Sequence, residues 1–193
     1  MNALEQRYLA YFDEMNVLAQ QIDVETGTVD AAQKKVEDIL EEAYMLGFFD
    51  AGWELDDTPE RIADRAKMSK LLNVRFKGQD TADRVAECVI DRDPVRLRTV
   101  IDTEFHRMYN GGGFDRAAEV EREDGERVYK IWRTMRDLRV RDTHSPLEGI
   151  IVPRNALFHT WDGDAAYYPG GFRLAENNVN CRCRVSYTRQ GSL

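Results

Sequence analysis

The chain lacks what would carry it across a membrane as a helix. No stretch approaches about 18 consecutive apolar residues. The first residues, MNALEQRYLAYFDEM, hold no basic segment followed by an apolar run, so no secretory leader is expected. Cysteine is scarce, three in 193 residues, which excludes a disulfide-built scaffold. In the reducing cytosol expected for such a chain, those cysteines read as thiols or metal ligands. No internal repeat or low-complexity tract appears, which excludes solenoid and fibrous architectures. What is present suits one domain, or a domain with a helical extension: 42% hydrophobic and 10% aromatic residues are enough for a core.

The net charge of −8 conceals an asymmetry. Residues 1–126 hold 16 Lys and Arg against 29 Asp and Glu, a balance of −13; residues 127–193 hold 11 against 6, a balance of +5. The basic end is suited to phosphates or an acidic partner, or to pairing with the acidic half. The acidic half is a poor DNA surface, so the whole chain does not read as a nucleic-acid binder.

Helical periodicity comes first. Leu4, Tyr8, Tyr11, Met15, Leu18 and Ile22 alternate by four and three residues, one stripe of a helix. Gly27 and Thr28 interrupt it, and Val36, Ile39, Leu40, Ala43 and Tyr44 predict a second helix folded back on the first. These stripes suit core packing; Tyr8, Tyr11 and Met15 are also the candidate partner-binding residues. GFFDAGWELDD (47–57) reads as a turn region with exposed aromatics. Thr58 and Pro59 read as the cap and first residue of another helix. TADRVAECVIDRD predicts a helix with Cys88 on its apolar side. DPVRLRTVIDTEFHRMY predicts one more, with Val95, Val100 and Phe105 among its apolar positions. NGGGFDRAAEVERE then reads as a flexible three-glycine link and a short helix.

The period changes at residue 127. RVYKIWRTM alternates as a strand, with Val128, Lys130, Trp132 and Thr134 on one face; GIIVP is a short apolar strand ended by Pro153; CRCRVSYT is the last strand. In it Cys181, Cys183, Val185 and Tyr187 share a buried face, and Arg182, Arg184 and Ser186 an exposed one. The expected class is α+β: a helical region over 1–126, then a small sheet with long loops over 127–193.

Chemistry concentrates in the second part. A disulfide between cysteines two apart in an extended strand is geometrically poor, with Cα atoms about 6.5–7 Å apart. Two thiols on one face suit a buried core or a shared metal, with His144 or His159 as a further ligand. Cys181, His144 and Asp142 supply thiol, base and orienter in kind, and Arg182 and Arg184 would lower a thiol pKa. His144, Asp142, His159, Asp162 and Asp164 supply the residue types of a metal-dependent nuclease, without its clustered spacing.

Trp132, the segment Asp137, Arg139, Arg141 and His144, then Leu147 and Gly149, the apolar strand Ile150 to Val152, Tyr168-Pro169-Gly170, and Asn180-Cys181-Arg182-Cys183 follow one another in a recognisable order. This order resembles the head-morphogenesis domain of tailed bacteriophages, the phage Mu F-like minor head proteins. DTEFHRMYNGGGFDRAAE resembles the helix preceding that domain, so the likeness spans about residues 100–187. It implies a structural, non-enzymatic virion component at the capsid or portal, made in the host cytoplasm. The implied partners are the portal protein, the major capsid protein and phage DNA, and the implied role is head assembly, DNA packaging or ejection. Many relatives look like zinc binders, with cysteines where this chain has Arg141 and His144, and a histidine where it has Asn178. The resemblance therefore implies either a zinc held by His144, Cys181 and Cys183, or a cofactor-free clasp in which Arg141 and Asn178 hold the same loops by hydrogen bonds. A rival reading is an intracellular binding module derived from a head protein.

Overall fold

The computed structural model describes residues 3–57, 64–74 and 78–190. Among them five helices precede the first strand: α1 (Ala3–Gln20), α2 (Val29–Glu54), α3 (Arg65–Leu72), α4 (Thr81–Ile90) and α5 (Pro94–Asp124). Then come β1 (Tyr129–Arg133), β2 (Ile151–Pro153), β3 (Phe158–His159), β4 (Ala165–Ala166), a single turn α6 (Ala175–Asn178) and β5 (Arg184–Thr188). One antiparallel sheet has the order β2-β1-β5, and β3 pairs with β4 in a second. The α+β expectation holds.

Local chemistry sets the helix starts. Thr28 caps α2 by accepting the Ala31 N–H, Asp64 caps α3, and Asp80 and Asp83 form a reciprocal box at α4. Asp93 caps α5 with Pro94 at its first turn. The expected cap at Thr58 and Pro59 lies outside the described residues. So does the side chain of Leu4.

Two core clusters form. The first is helical and includes Tyr8, Met15, Val36, Leu40, Tyr44, Phe105 and Met108. Cys88 belongs to it and is fully buried. The second joins Ala51 and Leu55, at the end of α2, and Ala117 and Val120 of α5 to Trp132, Phe158, Phe172, Val185 and Tyr187. Each such large apolar side chain contributes about 1.5–3 kcal/mol by leaving water.

Several expectations are corrected. Residues 47–54 are not a turn region but the last turns of α2, with Phe48 buried and only Trp53 largely exposed. The glycine triplet is not a link: Gly111, Gly112 and Gly113 lie inside the 31-residue α5. The reason is a close helix crossing. A Cβ on Gly112 would run into the Tyr44 carbonyl, and one on Gly47 into the Tyr109 carbonyl. Glycine here lets two backbones touch, as at small-residue helix contacts, and its flexibility is not used. On α1, Leu18 is exposed while Ala19 is buried, so the inward line runs Tyr8, Met15, Ala19 and Ile22. Tyr8 and Met15 are therefore core residues, closed to a partner, and only Tyr11 of the three remains partly accessible. Val95, in the first turn of α5, faces solvent.

The last strand starts at Arg184, so Cys181 to Cys183 precede it. The face read as exposed is largely covered. Arg184 is buried against Glu54 of α2, at 3.5 Å, and Ser186 accepts from Arg133 Nε at 3.2 Å. Glu54 also accepts the Tyr187 N–H at 2.8 Å, tying the end of α2 to β5. Burial pushes the Glu54 carboxyl up to about 7 against the pull of Arg184 and that N–H.

Gly112→Ala is expected to destabilise the protein by about 1–3 kcal/mol, since a rigid backbone must move. At Gly111 an added Cβ meets the mobile end of Leu71. Gly111→Ala should be nearly neutral, because alanine's helix preference of about 1 kcal/mol offsets the crowding. Denaturant unfolding of both variants orders them. Because the folded pKa of Glu54 lies above its ordinary value of 4.5, its contribution is full below about pH 4.5 and is lost as pH rises through 7. Glu54→Gln lacks this titration. The stability of the variant relative to the parent should therefore rise between pH 5 and 8, and parallel melts of the two proteins measure it.

Candidate functional site: a buried thiol–imidazole clasp

Trp132, fully buried in β1, is the platform. Phe158 meets it edge-on at 5.0 Å and His144 at 5.4 Å, while Phe172 stacks on His144 at 5.3 Å. His144 opens the 3₁₀ turn Ser145–Leu147, which Gly149 closes with a left-handed φ of 76°. This geometry presents His144 Nδ1 to Cys181 Sγ at 3.5 Å and Cys183 Sγ at 3.7 Å. All three residues are buried. Asn180, just before the pair, adopts φ 56°, a left-handed conformation that asparagine tolerates better than most residues. That turn brings both thiols to one side without a regular strand.

The thiols are unlike. Cys181 is held well below the ordinary thiol range because it accepts from the Cys183 thiol and, next, because His144 lies beside it. Cys183 is pushed up, since it gives that hydrogen bond and is buried. The arginines read as lowering a thiol pKa are engaged elsewhere: Arg182 with Asp137 at 2.8 Å, and Arg184 with Glu54.

Around this centre the 137–144 loop is sewn to the 177–183 segment. Arg141 donates to the Val179 carbonyl, Arg182 to Asp137, and Thr143 to Asn177 Oδ1 at 3.0 Å. Asn178 closes its own loop, accepting the Phe172 N–H at 3.0 Å and donating to the Phe172 and Leu174 carbonyls at 2.6 and 3.0 Å. Arg139 is exposed; its backbone N–H is accepted by Asp137, and its charge acts on Asp102 and Asp137. Pro169 is buried in the turn ending at Gly170, which has φ 88° and lies so close to Arg107 that a Cβ would sit 2.8 Å from the Arg107 Cβ. The Tyr-Pro-Gly motif is thus a docking turn against α5.

Other polar residues hold the clasp and carried no signal in strand periodicity. Asn110 of α5 donates to the Cys183 carbonyl at 3.2 Å and accepts the Val185 N–H at 2.9 Å; Thr103 accepts the Asn180 N–H at 3.1 Å. These two stand seven residues apart on one helix face, a spacing visible in the sequence. Lys130 shares the buried face of Trp132 and donates to the Ala156 and Tyr167 carbonyls at 2.6 and 2.7 Å, ringed by Phe114, Phe158 and Tyr167. Burial pushes its ammonium down to about 7.

The residues of the enzymatic readings do not assemble. His144 Nδ1 faces the thiols and Nε2 is buried without a hydrogen-bond partner, so no carboxylate orients the ring as a triad requires. Asp164 is saturated by the N–H groups of Ala165, Arg173 and Leu174 and by Asn177. His159 is exposed on β3, and Asp142 touches Trp161 through its backbone carbonyl.

Among the described residues His144, Cys181 and Cys183 are the one group whose ligand atoms converge, within 4.8 Å of one another. Zinc bonds of about 2.3 Å to sulfur and 2.0–2.1 Å to nitrogen imply tetrahedral edges of about 3.5–3.8 Å. The two nitrogen–sulfur separations match these edges. The donors fit three corners of a zinc site, and no fourth His, Cys, Asp or Glu among the described residues fills the last.

Two comparisons place the chain among known proteins. The family model described as phage Mu protein F like protein matches residues 52–186. The minor head protein GP7 of Bacillus phage SPP1 is 28% identical over 98 residues, covering 51% of this chain and 31% of that protein. The chain thus aligns with about a third of the length of this curated relative. No solved structure matches. With the family model covering well over half its length, from the end of α2 through β5, the chain belongs to the phage Mu protein F-like family.

Proposed function

We propose that this chain is a structural minor head protein of a tailed bacteriophage, residing in the virion against the portal or the major capsid protein. Its role is in head assembly or in the packaging or ejection of phage DNA. The observation that carries this reading is the burial of its chemically distinctive residues. His144, Cys181 and Cys183 are sealed under Trp132 and Phe172, and none of them lines the clefts between α2, α3 and α4, beside α5 and the 168–179 loop, or between α1 and α5. A buried cluster positions chain segments; an enzyme would need it open to substrate. The acidic helical part offers the exposed Val17 and Leu18 of α1 and Trp53 of α2 for partner contact. Quantitative mass spectrometry of purified virions is expected to find the protein in a few copies per particle, released together with the portal when capsids are disrupted. Abundance in infected cells with absence from virions would instead assign it to a free intracellular module.

Within that role the clasp fixes the 137–144 loop to the end of the chain. If zinc is its centre, His144, Cys181 and Cys183 would hold it, and the ion would supply cross-linking alone. His144→Ala and Cys181→Ser are each expected to cost about 2–4 kcal/mol of stability, from a cavity and from lost partners in a dry site. Elemental analysis of protein purified without chelator decides the form. One zinc per chain, lost in both variants, makes the thiols ligands; destabilisation without metal leaves a packed thiol–imidazole tie. Full stability in both variants would remove the clasp altogether.

A further inference from the structure

Between α3, α4, α5 and the 168–179 loop lies a cleft of about 250 Å³. Its walls are apolar, from Leu71, Val74, Tyr168, Phe172 and Val179. On its helical side stand two arginines and one glutamate. Arg84 Nη2 donates to Glu104 Oε1 at 2.8 Å, and Arg107 Nε donates to Glu104 Oε2 at 2.6 Å. Both carboxylate oxygens are thereby used. Glu104 and Arg107 are buried, and the Arg84 side chain is 16% exposed. Burial pushes the Glu104 carboxyl up, but Arg107 and Arg84 more than offset it, so Glu104 is held below the ordinary range and stays ionised.

Among the described residues the charges do not balance: two guanidiniums share one carboxylate, and the other bonds of Arg84 go to the uncharged Asp80 carbonyl and Thr81 hydroxyl, which leaves one surplus positive charge beside the cleft. Arg107 Nη1 reaches the Leu71 carbonyl at 2.8 Å, while its buried Nη2 has no hydrogen-bond acceptor and only the already shared Glu104 oxygen beside it. Two guanidiniums on one buried carboxylate are under-compensated, and a guanidinium is suited to a planar carboxylate. A phosphate monoester would bring up to two charges to one surplus cation, and the other polar side chains lining the cleft, Thr103 and Asn178, are already bonded to the Asn180 N–H and to Phe172 and Leu174. A single carboxylate matches the charge, and an apolar group attached to it matches the walls.

We propose that this cleft binds a carboxylate borne on an apolar group, with Arg107 and Arg84 facing the carboxylate and Tyr168, Phe172 and Val179 covering the apolar part. The chain end of a polypeptide finishing in an apolar residue and a free aliphatic acid share this chemistry. Nothing in this site depends on the head-protein reading.

The test titrates the full-length protein with N-acetyl-leucine, its carboxamide, octanoate and a short peptide ending in leucine with a free carboxylate, followed by amide chemical shifts. N-acetyl-leucine is expected to shift the amides of Tyr168 to Val179 saturably, and the carboxamide to bind at least tenfold more weakly. Val179 sits on the rim, 37% exposed. Val179→Trp should therefore block the cleft without lowering the melting temperature, and Arg84→Met should weaken the acid and leave the carboxamide unaffected. If octanoate binds as well as the peptide, the ligand is any apolar acid; if the peptide alone binds, it is a polypeptide end. Equal binding of acid and carboxamide, shifts that persist in Val179→Trp, or no saturable shift with any probe would each overturn the proposal.

Discussion

The crossing of α2 and α5 is the constraint on which the remaining structure depends. At Gly47 and Gly112 each helix has a hydrogen where a methyl would strike the carbonyl of the other. Backbone contact at this point sets the spacing on either side of it. Towards one end it closes the helical core around Tyr44, Phe105 and Met108; towards the other it brings Ala51, Leu55, Ala117 and Val120 to a single surface on which the sheet packs. Gly113 extends the pattern, since a Cβ there would lie 3.1 Å from the Tyr187 ring of β5. One run of three glycines therefore meets α3, α2 and β5 in turn, and packing density leaves little slack for substitution at its centre.

Because α5 is held so closely, it can serve as the ruler for the clasp. Thr103, Arg107 and Asn110 fall on the face turned to the C-terminal loops. Thr103 takes the Asn180 N–H, Arg107 seats the turn at Gly170, and Asn110 takes the Val185 N–H while giving to the Cys183 carbonyl. These polar side chains satisfy backbone groups that no strand partner takes, in the segment before β5 and at the Val185 N–H of that edge strand, which would otherwise be buried unpaired at about 1–3 kcal/mol each. The cysteines meet His144 because a helix some seventy residues upstream fixes the chain on both sides of them.

The sequence made the class and the second half legible, and the centre of the first half illegible, for identifiable reasons. Alternation in RVYKIWRTM and CRCRVSYT announced β1 and β5, and the ordered motif from Trp132 to Cys183 announced which residues gather. His144, Cys181 and Cys183 do converge. The two ends of α5 were legible as helix, but its continuity through the glycines escaped, because residues 103–113 are buried on every side and no polar stripe marks them, and because glycine was read for its freedom where it serves for its size. The end of α2 was missed for a similar reason: Gly47 and Gly52 interrupt the pattern, and at Gly47 the close approach of α5 leaves no room for a side chain. Arg184 and Ser186 looked solvent-facing by alternation, which reports the two faces of a strand but not whether α2 covers the second. Glu54 carries that information, and a lone glutamate near a helix end has no periodicity to betray it.

Arg141 and Asn178 show how such a clasp can be held without a ligand at every loop. A ligand on a loop does two jobs: it supplies an electron pair and it fixes the loop. Arg141 has no pair to offer, yet it ties its loop to the Val179 carbonyl; Asn178 bonds to Phe172 and Leu174 and so holds the turn beside the aromatic lid. Both loops are thus held by hydrogen bonds alone at these two positions. The thiols and His144 lie where burial is deepest, and hydrogen bonds hold the clasp towards the surface, where Val179 and Arg141 meet solvent. That gradient follows from desolvation. A cross-link of hydrogen bonds is weakest where water competes, so the outer ties rest on a charged guanidinium. In the dry centre no water competes, and weak S–H and imidazole contacts suffice because nothing replaces them.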